Sequence, residues 1–262
     1  MIRALCLLLA FTSFTFAQEV KLPAKEKLHL YLLVGQSNMA GRGVVEEQDR
    51  TPHARVLTLN KELKWVPAVD PLHWDKPSVG VGLGKTFGKL VADASPGATI
   101  GLIPCAVGGS PIDSWQPGVF YPPTKSHPWD DTVKRVEAAL AVGTIKGILW
   151  HQGESDCKPE LAPAYEAKLH DLVARLRALV KSPDVPFIAG QMGKFADVPP
   201  WNAEQVTVNA AHQALAKKVP HTAFVSAEGL KHKGDKIHFD AASYRELGKR
   251  YAETFLRLRS AK

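Results

Sequence analysis

Leu28 to Val34 is a nearly unbroken apolar run that stops at Gly35. Four more runs of the same kind follow, at Ala98 to Ile103, Gly147 to Trp150, Phe187 to Ala189 and Thr222 to Val225. Strands this uniformly apolar are buried on both faces, as they are in a parallel sheet covered by helices. The stretches between them supply the helices. Leu169, Leu172, Val173, Leu176, Leu179 and Val180 recur at spacings of three and four, the mark of a helix with one apolar face. Val133, Val136 and Leu140 do the same on a shorter helix, and Tyr244, Leu247, Tyr251, Phe255 and Leu258 on the last one. Alternation of strand and helix predicts an α/β fold with a central, mostly parallel sheet.

The 262 residues, 45% hydrophobic and 23% charged, suffice for one large core and exclude a disordered or collagen-like chain. No internal repeat is visible, which argues against a solenoid or propeller. At the N-terminus Arg3 precedes an apolar run from Ala4 to Phe16, and Thr15-Phe16-Ala17 ends in a small residue before Gln18. This is the layout of a secretory signal peptide over residues 1–17, leaving residues 18–262 as a single domain. The run, about 13 residues, is short of the ~20 needed to span a membrane. An uncleaved anchor is the alternative. No later segment approaches a span, so no integral membrane segment is expected after cleavage, and the mature protein is expected to be secreted or periplasmic.

Cleavage removes Cys6 and leaves Cys105 and Cys157, for which a disulfide and two free thiols both remain open. The formal charge of +7 is dispersed, with no basic run beyond Lys217-Lys218, so nucleic-acid binding has little support. Two stretches break the alternation, Glu46 to Pro77 and Gly109 to Trp129. Long irregular stretches in an α/β domain are candidates for the walls of a site at the carboxyl ends of the strands.

Four segments carry reactive chemistry, three of them at strand ends and one just before the last helix. Gly35-Gln36-Ser37-Asn38 places a serine directly after the first strand, where a strand-to-helix turn exposes the hydroxyl beside outward-facing N–H groups. Serines after strands are usually helix caps, and the α/β-hydrolase elbow G-x-S-x-G would need Gly at Met39. Asp235-Lys236-Ile237-His238 can form a dyad in which the carboxylate holds one imidazole nitrogen while the other faces a serine. A polar loop flanking a helix is the alternative. Cys105 to Ser110 contributes Gly108 and Gly109, whose backbone a substrate can approach closely, and Trp150 to Asp156 contributes the Gln152 amide. Aimed at one point, such donors make an oxyanion hole; taken singly, either segment could be turn chemistry.

Together the blocks GQSNMAG at 35–41, CAVGGS at 105–110, WHQGESD at 150–156 and DKIHFD at 235–240 resemble the SGNH hydrolase superfamily. Within it they are similar to the carbohydrate esterase branch, which includes sialate O-acetylesterases and family 6 acetyl xylan esterases. The resemblance implies a three-layer, flavodoxin-like α/β fold and a serine esterase that removes O-acetyl groups from carbohydrate, either polysaccharide or sialic acid, without a cofactor. It also implies roles: Ser37 as nucleophile, His238 as general base, Asp235 as its orienting partner, and Ser37, Gly109 and Gln152 as the oxyanion hole. Gln152 stands where the wider superfamily has Asn, which narrows the assignment to the branch. Gln36, Asn38 and Glu154 are expected to brace the loops or to contact substrate.

Other readings fit less well. Ser78 to Phe87 lacks the glycine spacing of a phosphate loop and reads as a glycine-rich entry into a helix carrying Phe87, Leu90 and Val91. His151, Glu154, His232 and His238 show no metal-binding spacing, and no metal is expected. Trp115, Trp129 and Trp201 could stack on sugar or fill the core. A lipase or thioesterase of the same superfamily, and a non-catalytic glycan-binding protein, are the rival functions.

Overall fold

The computed structural model describes residues 20–260, so the expected signal segment lies outside the described residues. Seven strands form one sheet: β1 (Leu28–Gly35), β2 (Val56–Leu59), β3 (Trp65–Pro67), β4 (Thr99–Pro104), β5 (Thr144–His151), β6 (Phe187–Gly190) and β7 (Thr222–Val225). Their order is β3-β2-β4-β1-β5-β6-β7. Every neighbouring pair is parallel except β2 and β3. The five apolar runs of the sequence are β1 and β4 to β7. Interleaved with them are α1 (Ser37–Ala40), α2 (Glu47–Arg50), α3 (Gly84–Asp93), α4 (Pro128–Val142), α5 (Tyr165–Leu179), α6 (Ala203–Lys218) and α7 (Ala241–Ser260).

The uniform apolarity of β1 follows from two cores. Leu28, Leu30, Leu32 and Val34 face one of them, together with Val136 of α4, Leu169, Leu172, Val173 and Leu176 of α5, and Val208 and Leu215 of α6. Tyr31 and Leu33 face the other, with Phe87 and Val91 of α3 and Tyr244, Leu247, Tyr251 and Phe255 of α7. Side chains alternate across a strand, so a strand sandwiched by helices needs apolar residues at every position. The result is three layers with β1 at the centre.

The stretch from Glu46 to Pro77 is less irregular than its composition predicts, since it holds α2 and the antiparallel pair β2 and β3. Trp115 is fully buried, donates to Ser110 Oγ at 3.1 Å and packs edge-on against Trp150, so it belongs to the core. Trp129 is also buried, beneath the Arg175 guanidinium. Cys105 and Cys157 are both free thiols.

Candidate active site

The carboxyl end of β1 turns sharply because two strands approach too closely for a side chain. Gly35 lies opposite His151 with φ +133°, and a Cβ there would fall 2.2 Å from the His151 carbonyl oxygen. Gln36 then donates its N–H to that same carbonyl at 3.0 Å, and the one-turn α1 begins at Ser37. Glycine is therefore required at 35, and the turn it permits projects Ser37 past the edge of the sheet.

Ser37 meets the loop that precedes α7. Its Oγ lies 2.9 Å from His238 Nε2, and His238 Nδ1 lies 2.7 Å from Asp235 Oδ2. A carboxylate facing Nδ1 keeps the proton there and leaves the Nε2 lone pair to accept the serine hydroxyl. The other Asp235 oxygen accepts the backbone N–H groups of His238 at 2.8 Å and Ile237 at 3.0 Å. Burial raises the Asp235 carboxyl, but the His238 N–H, the imidazole and the Ile237 N–H outweigh it and hold it well below the usual carboxylate range. For His238 burial is the larger influence and lowers its pKa; Asp235 opposes the shift, while Arg42 and Lys233 add to it. Asp240 closes the loop by capping α7, accepting the Ser243 N–H at 2.7 Å.

Residues beside Ser37 are held on every side. Asn38, fully buried, donates to Glu154 Oε1 at 2.6 Å and to the Ile237 carbonyl at 3.1 Å, and accepts the Tyr244 hydroxyl at 2.7 Å. Gln36 accepts a long hydrogen bond from the Ser155 N–H, 3.4 Å. Burial pushes the Glu154 carboxyl up, and its second oxygen has no partner. Asn38 thus ties the Ser37 turn both to Glu154 and to the 235–238 loop.

Gly109 adopts φ +82°, and its carbonyl accepts from Tyr121 OH at 2.7 Å and Ser155 Oγ at 2.8 Å. Neither the Gly109 N–H nor the Ser37 N–H has a protein acceptor among the described residues. Gly108 next door donates to Asp75 Oδ2 at 2.8 Å, and Asp75 forms a buried pair with Arg42 at 2.5 Å. That pair, invisible in the motif spacing, ties the end of α1 to the β4 loop.

Gln152 requires a correction. It is wholly enclosed, and both of its amide N–H groups have acceptors: the Ser110 carbonyl at 3.1 Å and the Asp156 carboxylate. Its carbonyl accepts from Tyr165 OH at 2.7 Å, and that hydroxyl lies 2.8 Å from His212 Nε2. An amide with all its hydrogens committed inside the core has none to offer an oxyanion, so the arrangement fits a brace. Burial pushes Asp156 up to about 6 despite the Gln152 bond, and pushes His212 down to about 3.

A second Asp–His pair lies on the outer side of the base loop. His232 Nε2 is 2.8 Å from Asp197 Oδ2, while its Nδ1 accepts the N–H of Gly234 at 2.8 Å and of Lys236 at 3.3 Å. Nothing in the spacing of the sequence marks this support.

Comparison with known proteins agrees with the geometry. Residues 27–257 match the family model described as carbohydrate esterase, sialic acid-specific acetylesterase. A probable carbohydrate esterase of Arabidopsis thaliana is 31% identical over 251 residues, covering 87% of this chain and 90% of the relative. A crystal structure of an Arabidopsis protein superposes with a TM-score of 0.76, 31% identity and coverage of 90% and 99% of the two chains. NanS shares the fold at a TM-score of 0.74 with 17% identity, covering 92% of this chain and all of that one. The SGNH-type, three-layer α/β architecture is common to them, and the chain belongs to the carbohydrate esterase family of sialic acid-specific acetylesterases.

Proposed function

We propose that this chain is an exported serine esterase that removes O-acetyl groups from carbohydrate through an acetyl-enzyme. The observation that carries the reading is the continuous relay from Ser37 Oγ through His238 to Asp235, at 2.9 and 2.7 Å. Ser37 Oγ attacks the acetyl carbonyl carbon as His238 Nε2 takes its proton. The carbonyl oxygen becomes an oxyanion that receives the N–H groups of Ser37 and Gly109. Collapse expels the sugar oxygen, which takes the proton from His238. Water then attacks the acetyl-enzyme with the same base, releasing acetate and restoring the serine.

Support for a carbohydrate substrate comes from family membership and from the likeness to the probable carbohydrate esterase of Arabidopsis. Export rests on the N-terminal segment, and N-terminal sequencing of the mature protein should begin at Gln18. The test of the chemistry is acetate release from acetylated xylan, acetylated pectin and O-acetyl sialic acid by the parent and by Ser37→Ala. The variant should keep its fold and lose activity by roughly 10³-fold or more. Residual activity within about tenfold of the parent would remove Ser37 from the mechanism.

A further inference from the structure

Beyond the Val107–Gly109 segment, on the β4 side of Ser37, lies a cavity of about 460 Å³ with Lys61, Trp74, Cys105, Lys125, Lys134 and Arg135 in its walls. Its size is that of a small-molecule site. Two acids also line it: one is paired outside the cavity and the other offsets one of the lysines. Asp75 is paired with Arg42 and the Gly108 N–H, while Asp131 accepts the His127 N–H at 3.1 Å and lies 3.8 Å from Lys134. His73 adds no charge at neutral pH, because burial pushes it down to about 4. With Asp131 set against Lys134, the cavity keeps Lys61, Lys125 and Arg135 as its excess of positive charge.

Arg135 gives that charge a direction. It is only 6% exposed, and its guanidinium donates to the carbonyls of Asn60, at 3.0 Å, and Leu59. It lies 4.5 Å from the Trp74 ring centroid, and its Nε has no hydrogen-bond partner. No carboxylate lies within 4 Å of it among the described residues. A buried guanidinium with backbone carbonyls, the Trp74 ring and only the more distant charge of Asp131 to balance it is costly to keep, and an anion beside it would complete the set. Lys125 is presented by a strained backbone, φ +51°, in a turn closed by the Tyr121–Ser126 bridge. Trp74, partly exposed, adds a flat apolar surface of the kind on which a sugar ring packs.

The cavity wall continues through Val107 into Gly108 and Gly109. Lys76 lies across the glycines, with its Nζ 3.7 Å from the Cβ position at Gly109 and its Cδ 3.5 Å from that at Gly108. Positive charge thus runs from the cavity to the Gly109 donor. None of the cavity's lining residues belongs to the Ser37–His238–Asp235 relay.

We infer that this cavity is a subsite for an anionic sugar ring, a uronate in chemical class, carried on the glycan next to the residue that bears the acetyl group. The assignment rests on the esterase reading for the acetyl group, but its binding term stands apart from catalysis. The experiment uses the mature Ser37→Ala protein, titrated calorimetrically with trigalacturonate, xylotriose and N-acetylneuraminate. Trigalacturonate should bind at least about tenfold more tightly than xylotriose. The preference should shrink as salt rises from about 20 to 300 mM, because exposed lysines are screened over that range. Lys125→Glu with Lys134→Glu, both exposed side chains, should abolish it while circular dichroism and melting stay unchanged.

Equal binding of trigalacturonate and xylotriose, or a preference that survives the charge reversal in a folded protein, overturns the subsite. Equal binding of N-acetylneuraminate and trigalacturonate overturns the placing of the charge on a neighbouring ring. Hydrolysis of p-nitrophenyl acetate by the parent is read separately, so a failed esterase reading and a failed subsite give different results.

Discussion

The phenol of Tyr244, on the helix that follows His238, donates to the side-chain carbonyl of Asn38, the residue after Ser37, at 2.7 Å. Both side chains are fully buried. Through this contact and the Asn38 bond to the Ile237 carbonyl, the two halves of the Ser37–His238 pair share one anchor.

Tyr244→Phe leaves the Asn38 carbonyl without a partner in an apolar surround. The expected loss is about 1–3 kcal/mol of stability, measured by urea unfolding. kcat should fall with it, as the turn carrying Ser37 loosens. A change below about 0.5 kcal/mol, typical of a surface position, would show that the bond is not an anchor.

The acid limb of the pH profile follows from the base. His238 must be neutral to accept the serine proton, and burial, reinforced by Arg42 and Lys233, lowers its pKa more than Asp235 raises it. A lowered pKa extends the neutral form toward acid. kcat/KM for an ester whose chemistry is rate-limiting should therefore rise through an apparent pKa below the ordinary ~6.5 of imidazole. Asp235→Asn removes the raising influence, so the limb should move further toward acid while the rate falls. A limb centred above 6.5 in the parent contradicts this account of the base.

Gln152→Ala separates a brace from an oxyanion donor. Removing the amide leaves the Ser110 carbonyl, Asp156 and Tyr165 each short of a partner inside the core. Melting temperature and activity should drop together, with the activity loss nearly the same for esters of different reactivity. A donor lost from an oxyanion hole instead costs about 10²–10³ in kcat with the fold intact. Unchanged melting beside a loss of that size would restore Gln152 to the oxyanion hole.

His232 supports the base loop through two backbone N–H groups. His232→Ala should lower kcat by about tenfold or more with little change in KM, since a displaced base penalises the reaction more than binding. His232→Asn keeps a side-chain oxygen that can accept the Gly234 N–H and should recover part of the loss. Equal kcat in parent and Ala variant would show that the loop holds its shape without the imidazole.

The central strands were legible because burial on both faces leaves no room for polar residues, as β1 shows between Leu28 and Val34. β2 has only four residues and β3 three, and Pro and Asp surround them, so neither produced a readable period. α6 was hidden for a different reason. Its buried face includes Asn209 and His212, polar residues that interrupt the apolar stripe. Ser37, Asp235 and His238 stand out because their blocks, one after the first strand and one before the last helix, follow a recognisable order. The role of Gln152 does not, because an amide pointing to substrate and one pointing to Asp156 have the same sequence, and the choice depends on where Ser110 and Tyr165 come to lie. Arg42 and Asp75 pair across 33 positions without a motif to announce them.

The close approach of Gly35 to His151 gives the two halves of the relay unequal resistance to opening. Ser37 follows the middle strand of seven, under two helical layers, whereas Asp235 and Ile237 lie on an exposed loop whose backbone bonds meet solvent. Amides in β1 should exchange with deuterium only when the whole domain unfolds, and those from 233 to 238 through local fluctuations of low free energy. On the proposed mechanism, mild denaturant should therefore silence activity by loosening the His238 loop before Ser37 leaves the sheet, and removing the denaturant should return activity at the speed of a loop rather than that of a folding domain.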